Sequence, residues 1–144
     1  MIVNSGNNGY ELSIDPDRLD VDLVHRWLST DAFWALGRTR ETVEEPMRGS
    51  LDFAVYEVTG DQVAYARVVT DRATFAWLCD VYVAPAHRGK GLGTWLATAI
   101  RDHLAPCRLK RVLLSTRDAH EAYARAGFVP VPQPESLMIL NEPE

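Results

Sequence analysis

The sequence has only two cysteines, Cys79 and Cys107, and 28 positions separate them. That spacing fits no short metal or redox motif, and two cysteines cannot staple a chain of 144 residues. A basic surplus is also missing: 15 Lys and Arg face 20 Asp and Glu, a formal net charge of −5. A phosphate-backbone binder normally carries the opposite balance, so no nucleic-acid partner is expected. No run approaches the ~18 apolar residues of a membrane helix. Met1 to Tyr10 has neither a basic n-region nor an apolar h-region, so no leader is read there. The four histidines, His25, His87, His103 and His120, lack ligand spacing, so no metal is expected. A soluble, cytoplasmic protein without membrane contact is the expectation.

What is present is ordinary globular material. Hydrophobic residues make up 47 % and charged residues 24 %, which excludes disorder and fibrous repeats. A chain of this size buries roughly two thirds of the surface it exposes when unfolded. Residues 1–144 read as one domain, with the polar, Asn- and Gly-rich stretch 1–9 as a loose tail.

Tyr10, Leu12 and Ile14 alternate with polar neighbours and predict a strand. Leu19 to Leu28 carries a helical apolar stripe containing Trp27. Ser29 to Asp31 offers cap chemistry for a second short helix with Phe33, Trp34 and Leu36, and Thr39 opens another that ends near Gly49. Phe53–Val58 and Val63–Val69 predict a hairpin about Thr59-Gly60-Asp61. Thr74–Val83 is almost continuously apolar and predicts a strand buried on both faces. A helix follows the glycines after Pro85, then a strand at Arg111–Ser115, a helix at Asp118–Ala126 ended by Gly127, and strands at Phe128–Val131 and Leu137–Leu140. The last is an edge strand that could join a second copy, a possible homodimer. This order predicts an α/β chain of the α+β type, with a mixed, mostly antiparallel central sheet flanked by helices.

The chemistry concentrates in Val81-Tyr82-Val83-Ala84-Pro85-Ala86-His87-Arg88-Gly89-Lys90-Gly91-Leu92-Gly93-Thr94. A strand ends, three glycines turn the chain, and a helix begins. Free N–H groups and the dipole of a helix start favour an anion, and Arg88 and Lys90 add charge. A phosphate or pyrophosphate cradle results. The P-loop pattern fails, because Lys90 precedes Gly91 rather than a hydroxyl residue, and the dinucleotide fingerprint fails, because Thr94 stands at its third glycine.

Arg88, Gly91 and Gly93, in the pattern Arg-x-x-Gly-x-Gly, resemble the acetyl-coenzyme-A loop of the GNAT superfamily of N-acetyltransferases. Ala119, Tyr123, Gly127 and Phe128 resemble its later segment, in which a helix carrying a Tyr leads into Gly-Phe, and the element order matches over roughly residues 10–140. One departure is Thr116, seven residues before Tyr123, where many members carry an Asn that contacts the pantetheine arm.

The resemblance implies acetyl transfer from acetyl-coenzyme A to a small-molecule or peptide amine, on a sheet with splayed strands at the cofactor site. It implies cofactor binding by Val81, Tyr82, Val83, Arg88, Gly89, Lys90, Gly91, Leu92, Gly93, Thr94, Thr116 and Tyr123. The Val81 N–H is expected to face the oxyanion, and Tyr123 to serve the leaving thiolate. Reference values of ~10 for a phenol and ~8.5 for a thiol make full proton transfer uphill by about 2 kcal/mol, so Tyr123 acts as a hydrogen-bond donor. A primary amine is only about 0.1 % neutral near pH 7, a cost of about 4–5 kcal/mol unless the site offsets it. Asp80 is the first candidate base and Asp71 the second, with a water chain as the third possibility. Trp34 and Arg38 are the candidate acceptor-lining residues, whereas Trp27 and Phe33 are read as core. A non-catalytic acyl-coenzyme-A sensor and a plain nucleotide-binding module are the competing readings.

Overall fold

A computed structural model describes residues 2–7 and 9–141. Its centre is one six-stranded sheet in the spatial order β1 (Ile2–Asn7), β2 (Tyr10–Ser13), β3 (Leu51–Glu57), β4 (Gln62–Thr70), β5 (Phe75–Val83) and β6 (Arg111–Leu114). Neighbours are antiparallel up to β5, and β5–β6 is parallel. A parallel pair needs a crossover, and α3 (Leu92–Leu104) supplies it. The helices α1 (Val21–Asp31) and α2 (Arg40–Arg48) fill the β2–β3 connection, and α4 (His120–Arg125) follows β6.

Caps and stripes account for the helices. The Asp20 carboxylate accepts from the Leu23 N–H at 3.0 Å, and the Thr39 hydroxyl accepts from the Thr42 N–H at 3.1 Å. Buried pairs four apart, Val24 with Leu28 and Val43 with Met47, turn α1 and α2 inward. They pack with Tyr65 and Tyr82 on one face of the sheet. On the other face Leu92, Leu96, Ile100 and Leu104 of α3 meet Phe53, Val55, Val68 and Leu78.

A bulge in β5 sets up everything that follows. Tyr65 pairs with Tyr82 but Arg67 pairs with Cys79, so two residues of β5, Asp80 and Val81, oppose Ala66 alone. Asp80 takes up the extra residue in the left-handed region, φ +53, which Asp tolerates better than most side chains. The inserted residue reverses the alternation. Ala76 and Leu78 face the α3 core before it, Val81 and Val83 face that core after it, and Tyr82 joins the α1–α2 core. The strand is therefore not buried on both faces as its composition suggests: burial alternates, and Trp77, Cys79 and Val81 stay partly open. The β5–β6 pairing ends at Leu78 opposite Leu114, so among the described residues no strand pairs with the outer edge of residues 79–83.

Three further expectations are corrected. Residues 2–7 are a strand and not a loose tail, because backbone pairing with β2 needs no apolar pattern. Ser29–Asp31 closes α1 instead of opening a new helix, and 33–37 form turns. Among the described residues no strand follows α4: Pro130, Pro132 and Pro134 each remove a ladder donor, and Leu137–Leu140 is exposed irregular chain, not the edge strand invoked for a dimer.

Candidate active site

The site lies where β5 and β6 part. One cavity of about 630 Å³ lies at the divergence, between 77–81 of β5, 115–119 after β6, Tyr123, and Phe33, Trp34 and Arg38. A second of about 900 Å³ continues along Val81–Val83 to Gly89 and Gly93 and to α4. Val81, Asp118, Ala119 and Tyr123 line both, so they form one cleft with an inner and an outer part.

The outer part is built from backbone. Gly89 and Gly91 both have φ +79, a conformation that favours glycine, and Gly91 is the N-cap of α3. No side chain caps this helix, which leaves its first-turn N–H groups available to an anion. Gly93 is the informative glycine. It is helical, its φ is not positive, and a Cβ there would meet nothing within 4 Å beyond its chain neighbours and its own helix backbone. Neither strain nor packing requires glycine, although it costs a helix about 1 kcal/mol relative to Ala. Room for a ligand against the loop is what the missing side chain provides, so these residues fit a pyrophosphate.

The side-chain charges expected in this cradle are engaged elsewhere. Arg88 donates from Nε to the Val83 carbonyl at 2.9 Å and from Nη2 to Asp31 at 3.0 Å. Asp31 also accepts from the Tyr82 hydroxyl at 2.5 Å, and these two donors hold its carboxyl below the usual range. Lys90 turns to the Tyr10 hydroxyl at 3.4 Å. Leu92 is a buried core residue, so only its backbone can serve a ligand. The Thr94 hydroxyl donates to the Ala122 carbonyl at 3.1 Å and ties α3 to α4.

The inner part is built from side chains far apart in sequence. Asp80 is 6 % exposed. It accepts from Trp34 Nε1 at 2.9 Å, Arg38 Nη1 at 2.9 Å and Arg67 Nε at 3.0 Å. Burial pushes its carboxyl up, but the charges of Arg38 and Arg67 and the hydrogen bonds from Arg38 and Trp34 outweigh it, and the net shift is downward. Arg67 also donates to the Ser50 hydroxyl at 3.1 Å. Phe33, read as core, is 46 % exposed on the cleft, where the Arg117 guanidinium lies 3.6 Å from its ring centroid. Trp27, also read as core, is partly buried and stacks on Tyr82 at 5.3 Å.

Tyr123 stands between the two parts. Ala126, Gly127 and Phe128 close α4 in a Schellman arrangement: the Phe128 N–H donates to the Tyr123 carbonyl at 3.1 Å and the Gly127 N–H to the Ala124 carbonyl at 3.0 Å. Gly127 has φ +103, and the Phe128 ring meets the Tyr123 ring edge-on at 6.0 Å. Gly-Phe thus fixes the tyrosine. Burial, helped by Asp118, pushes its phenol up to about 12, so it stays protonated. Thr116 lines the inner part, its hydroxyl accepting from the Ala119 N–H at 3.0 Å.

Asp71 does not reach the cleft. It holds the β4–β5 turn, accepting from the N–H groups of Ala73, Thr74 and Phe75 and from the Thr74 hydroxyl. These bonds keep its carboxyl well below the usual range. A turn-capping Asx is the reason for that aspartate. The residues missed from sequence are Arg67, Trp77, Phe33 and Arg117. A strand arginine such as Arg67, two residues from each of two aromatic or apolar neighbours, was the available signal. Among the described residues no three His, Cys, Asp or Glu group as metal ligands, and no helix is long and apolar enough to cross a membrane.

A mixed sheet split open beside an uncapped, glycine-led helix, with a partly buried tyrosine at the split, defines a class of acyl-group transferases. Comparison agrees. The pattern of the Acetyltransferase (GNAT) family matches residues 21–128. A Gibberella zeae protein, provisionally named an acetyltransferase, is 31 % identical over 135 residues, 81 % of this chain and 76 % of its own. A Xanthomonas campestris pv. campestris crystal structure, provisionally described as a GNAT-family acetyltransferase, superposes with a TM-score of 0.86 and 44 % identity over 93 % of this chain and 94 % of that one. Spermidine N-acetyltransferase from Vibrio cholerae, solved with CoA and spermine, shares the fold: TM-score 0.67, 18 % identity, 85 % of this chain and 82 % of that one. The chain belongs to the GNAT acetyltransferase family. It is an acetyltransferase.

Proposed function

We propose that the protein moves the acetyl group of acetyl-coenzyme A directly to a primary amine. The observation that carries this reading is the outer edge of residues 79–83, left without a partner strand and running from the side-chain-lined inner cavity to the glycine-opened start of α3. Bound acetyl-coenzyme A supplies a reactive thioester. The first-turn N–H groups of α3 and the loop backbone at Gly89 and Gly91 would hold its pyrophosphate. This edge of β5 would pair with the amide-bearing arm, and Val81 would present its N–H to the thioester oxygen.

Tyr123 serves as a donor to the departing sulfur. With its phenol at about 12, complete proton transfer to a thiolate of ~8.5 is uphill by about 5 kcal/mol. A shared hydrogen bond stabilises the sulfur, and water completes the protonation. Asp80 is assigned a different role from that of a base. Three donors occupy its carboxylate and its affinity for a proton is lowered, so it positions Arg38, Arg67 and Trp34. The amine then loses its proton to water and reacts as the neutral fraction.

Two measurements test the reading. Acetyl-coenzyme A should raise the melting temperature where ATP and NAD do not, and an amine panel should release coenzyme A saturably. A thermal shift with no turnover across the panel would favour a sensor.

A further inference from the structure

The inner cavity carries an excess of positive charge inside an acidic protein. Its lining includes three guanidinium groups, Arg38, Arg67 and Arg117, against two carboxylates, Asp80 and Asp118, a local sum of +1, while the whole chain stands at −5. The outer cavity is balanced, with Asp31, Asp118 and Glu121 against Arg88, Arg117 and Arg125.

The inner arginines are not exhausted by their neighbours. A guanidinium has five N–H groups. Arg38 spends one nitrogen on Asp80, and Arg67 spends Nε on Asp80 and Nη1 on Ser50. The remaining nitrogens of both have no acceptor among the described residues. Their side chains keep 21 % and 17 % exposure, on the cavity side. Arg117 lies against Phe33 and forms no ion pair among the described residues. Asp80, the one buried carboxylate of this cavity, already accepts from three donors, two of them cations, which leaves it little to offer an ammonium group.

We infer that the acceptor is a primary amine that also bears an anionic oxyacid group, carboxylate or phosphate, seated on Arg38, Arg67 and Arg117. This rests on the acetyl-transfer reading. Asp80 pre-orients two of the three forks without neutralising the set, and guanidinium forks match both oxyacids in two-point contact. The same positive surplus disfavours the charged ammonium and raises its neutral fraction, which the reaction needs. The aromatic walls, Phe33, Trp34 and Trp77, would pack against the amine's carbon skeleton.

The test uses matched amines with acetyl-coenzyme A: an amino acid with its carboxamide, an aminoalkyl phosphate with its alcohol, and spermidine. Rates of coenzyme A release are corrected for each amine's neutral fraction. The anionic member of a pair should lead in kcat/KM by about 10- to 100-fold, the range of a charge-assisted contact, and the leading pair separates carboxylate from phosphate. Arg117→Gln, at an exposed position that leaves Asp80 paired, and Arg38→Gln should each shrink that ratio toward one through KM. A preference for the neutral members or for spermidine, or a ratio unchanged in both variants, overturns the inference. Calorimetric binding to the coenzyme-A-loaded protein separates the two failures. Selective binding of the anionic amines without turnover upholds the anion seat on Arg38, Arg67 and Arg117 but refutes acetyl transfer, and binding without selectivity refutes the seat.

Discussion

The outer and inner halves of the cleft are made of different materials. The outer half centres on a continuous segment, 88–94, which offers a ligand backbone N–H groups, positive φ angles and an absent Cβ. The inner half gathers Trp34 and Arg38 from the turns after α1, Arg67 from β4, Asp80 from a bulge in β5 and Arg117 from the loop after β6. A cradle of backbone depends on a few glycines at fixed spacing. A pocket of side chains can be rebuilt one arginine at a time. Under the proposed function, the shared donor would be bound by the part that tolerates least change, and the acceptor by the part that tolerates most.

Substitutions at the two halves should separate cleanly. The largest effect belongs to Gly91→Glu, which forces a side chain into φ +79 and a negative charge into the cradle. Calorimetry should show acetyl-coenzyme A affinity reduced by at least about 100-fold, the loss of some 3 kcal/mol. Unchanged affinity would dissolve the distinction between the halves. Next comes Tyr123→Phe, at the junction, which should lower kcat by about 100-fold while leaving the dissociation constant of coenzyme A within about threefold. A fall in affinity instead of kcat would move Tyr123 into the outer half.

Asp80→Asn belongs to the inner half. It leaves two largely buried guanidiniums without their counter-charge and should cost about 3 kcal/mol in urea unfolding. The pH dependence has a definite sign. Asp80 is depressed in the folded state, so its contribution is present above the unfolded value of ~3.9 and is lost as pH falls below it. The wild-type advantage over Asp80→Asn should therefore shrink below about pH 4. The smallest effect lies one layer deeper. Asp52 accepts from the Tyr65 hydroxyl at 2.5 Å, and burial pushes its carboxyl up to about 6. The folded state holds this proton longer than the unfolded chain. Stability should fall as pH rises from 3.8 to about 6, and Asp52→Asn should remove that slope. A slope of opposite sign would mean Asp52 is stabilised as the anion.

The same contrast explains what could be read before the fold was known. Arg88, Gly91 and Gly93 announced the outer half because contiguous backbone demands leave contiguous residues. Tyr123 with Gly127 and Phe128 was legible because the Schellman closure fixes their spacing. The inner half was legible only as Trp34, Arg38 and Asp80, without their mutual contacts. Arg67 looked like an ordinary strand residue, and Phe33 like core, because no local pattern reports a bulge that reverses a strand's alternation. The same bulge hid the one-sided burial of β5. The charges of Arg88 and Lys90 were visible, but their engagement with Asp31 and Tyr10 was a matter of tertiary packing.

If Asp80 only positions its neighbours, the amine's own ionisation governs the rate. With a turned-over amine, kcat/KM should rise about tenfold per pH unit below the amine's pKa, with no inflection from an enzyme base between pH 5 and 8.

The most direct trial of the central claim is product stoichiometry. Protein, an amine and acetyl-coenzyme A labelled in the acetyl group are incubated, and both products are quantified by mass spectrometry. The account predicts one labelled acetyl on the amine nitrogen for each free coenzyme A formed. Saturable binding of acetyl-coenzyme A with no labelled amine from any acceptor in the panel would contradict it.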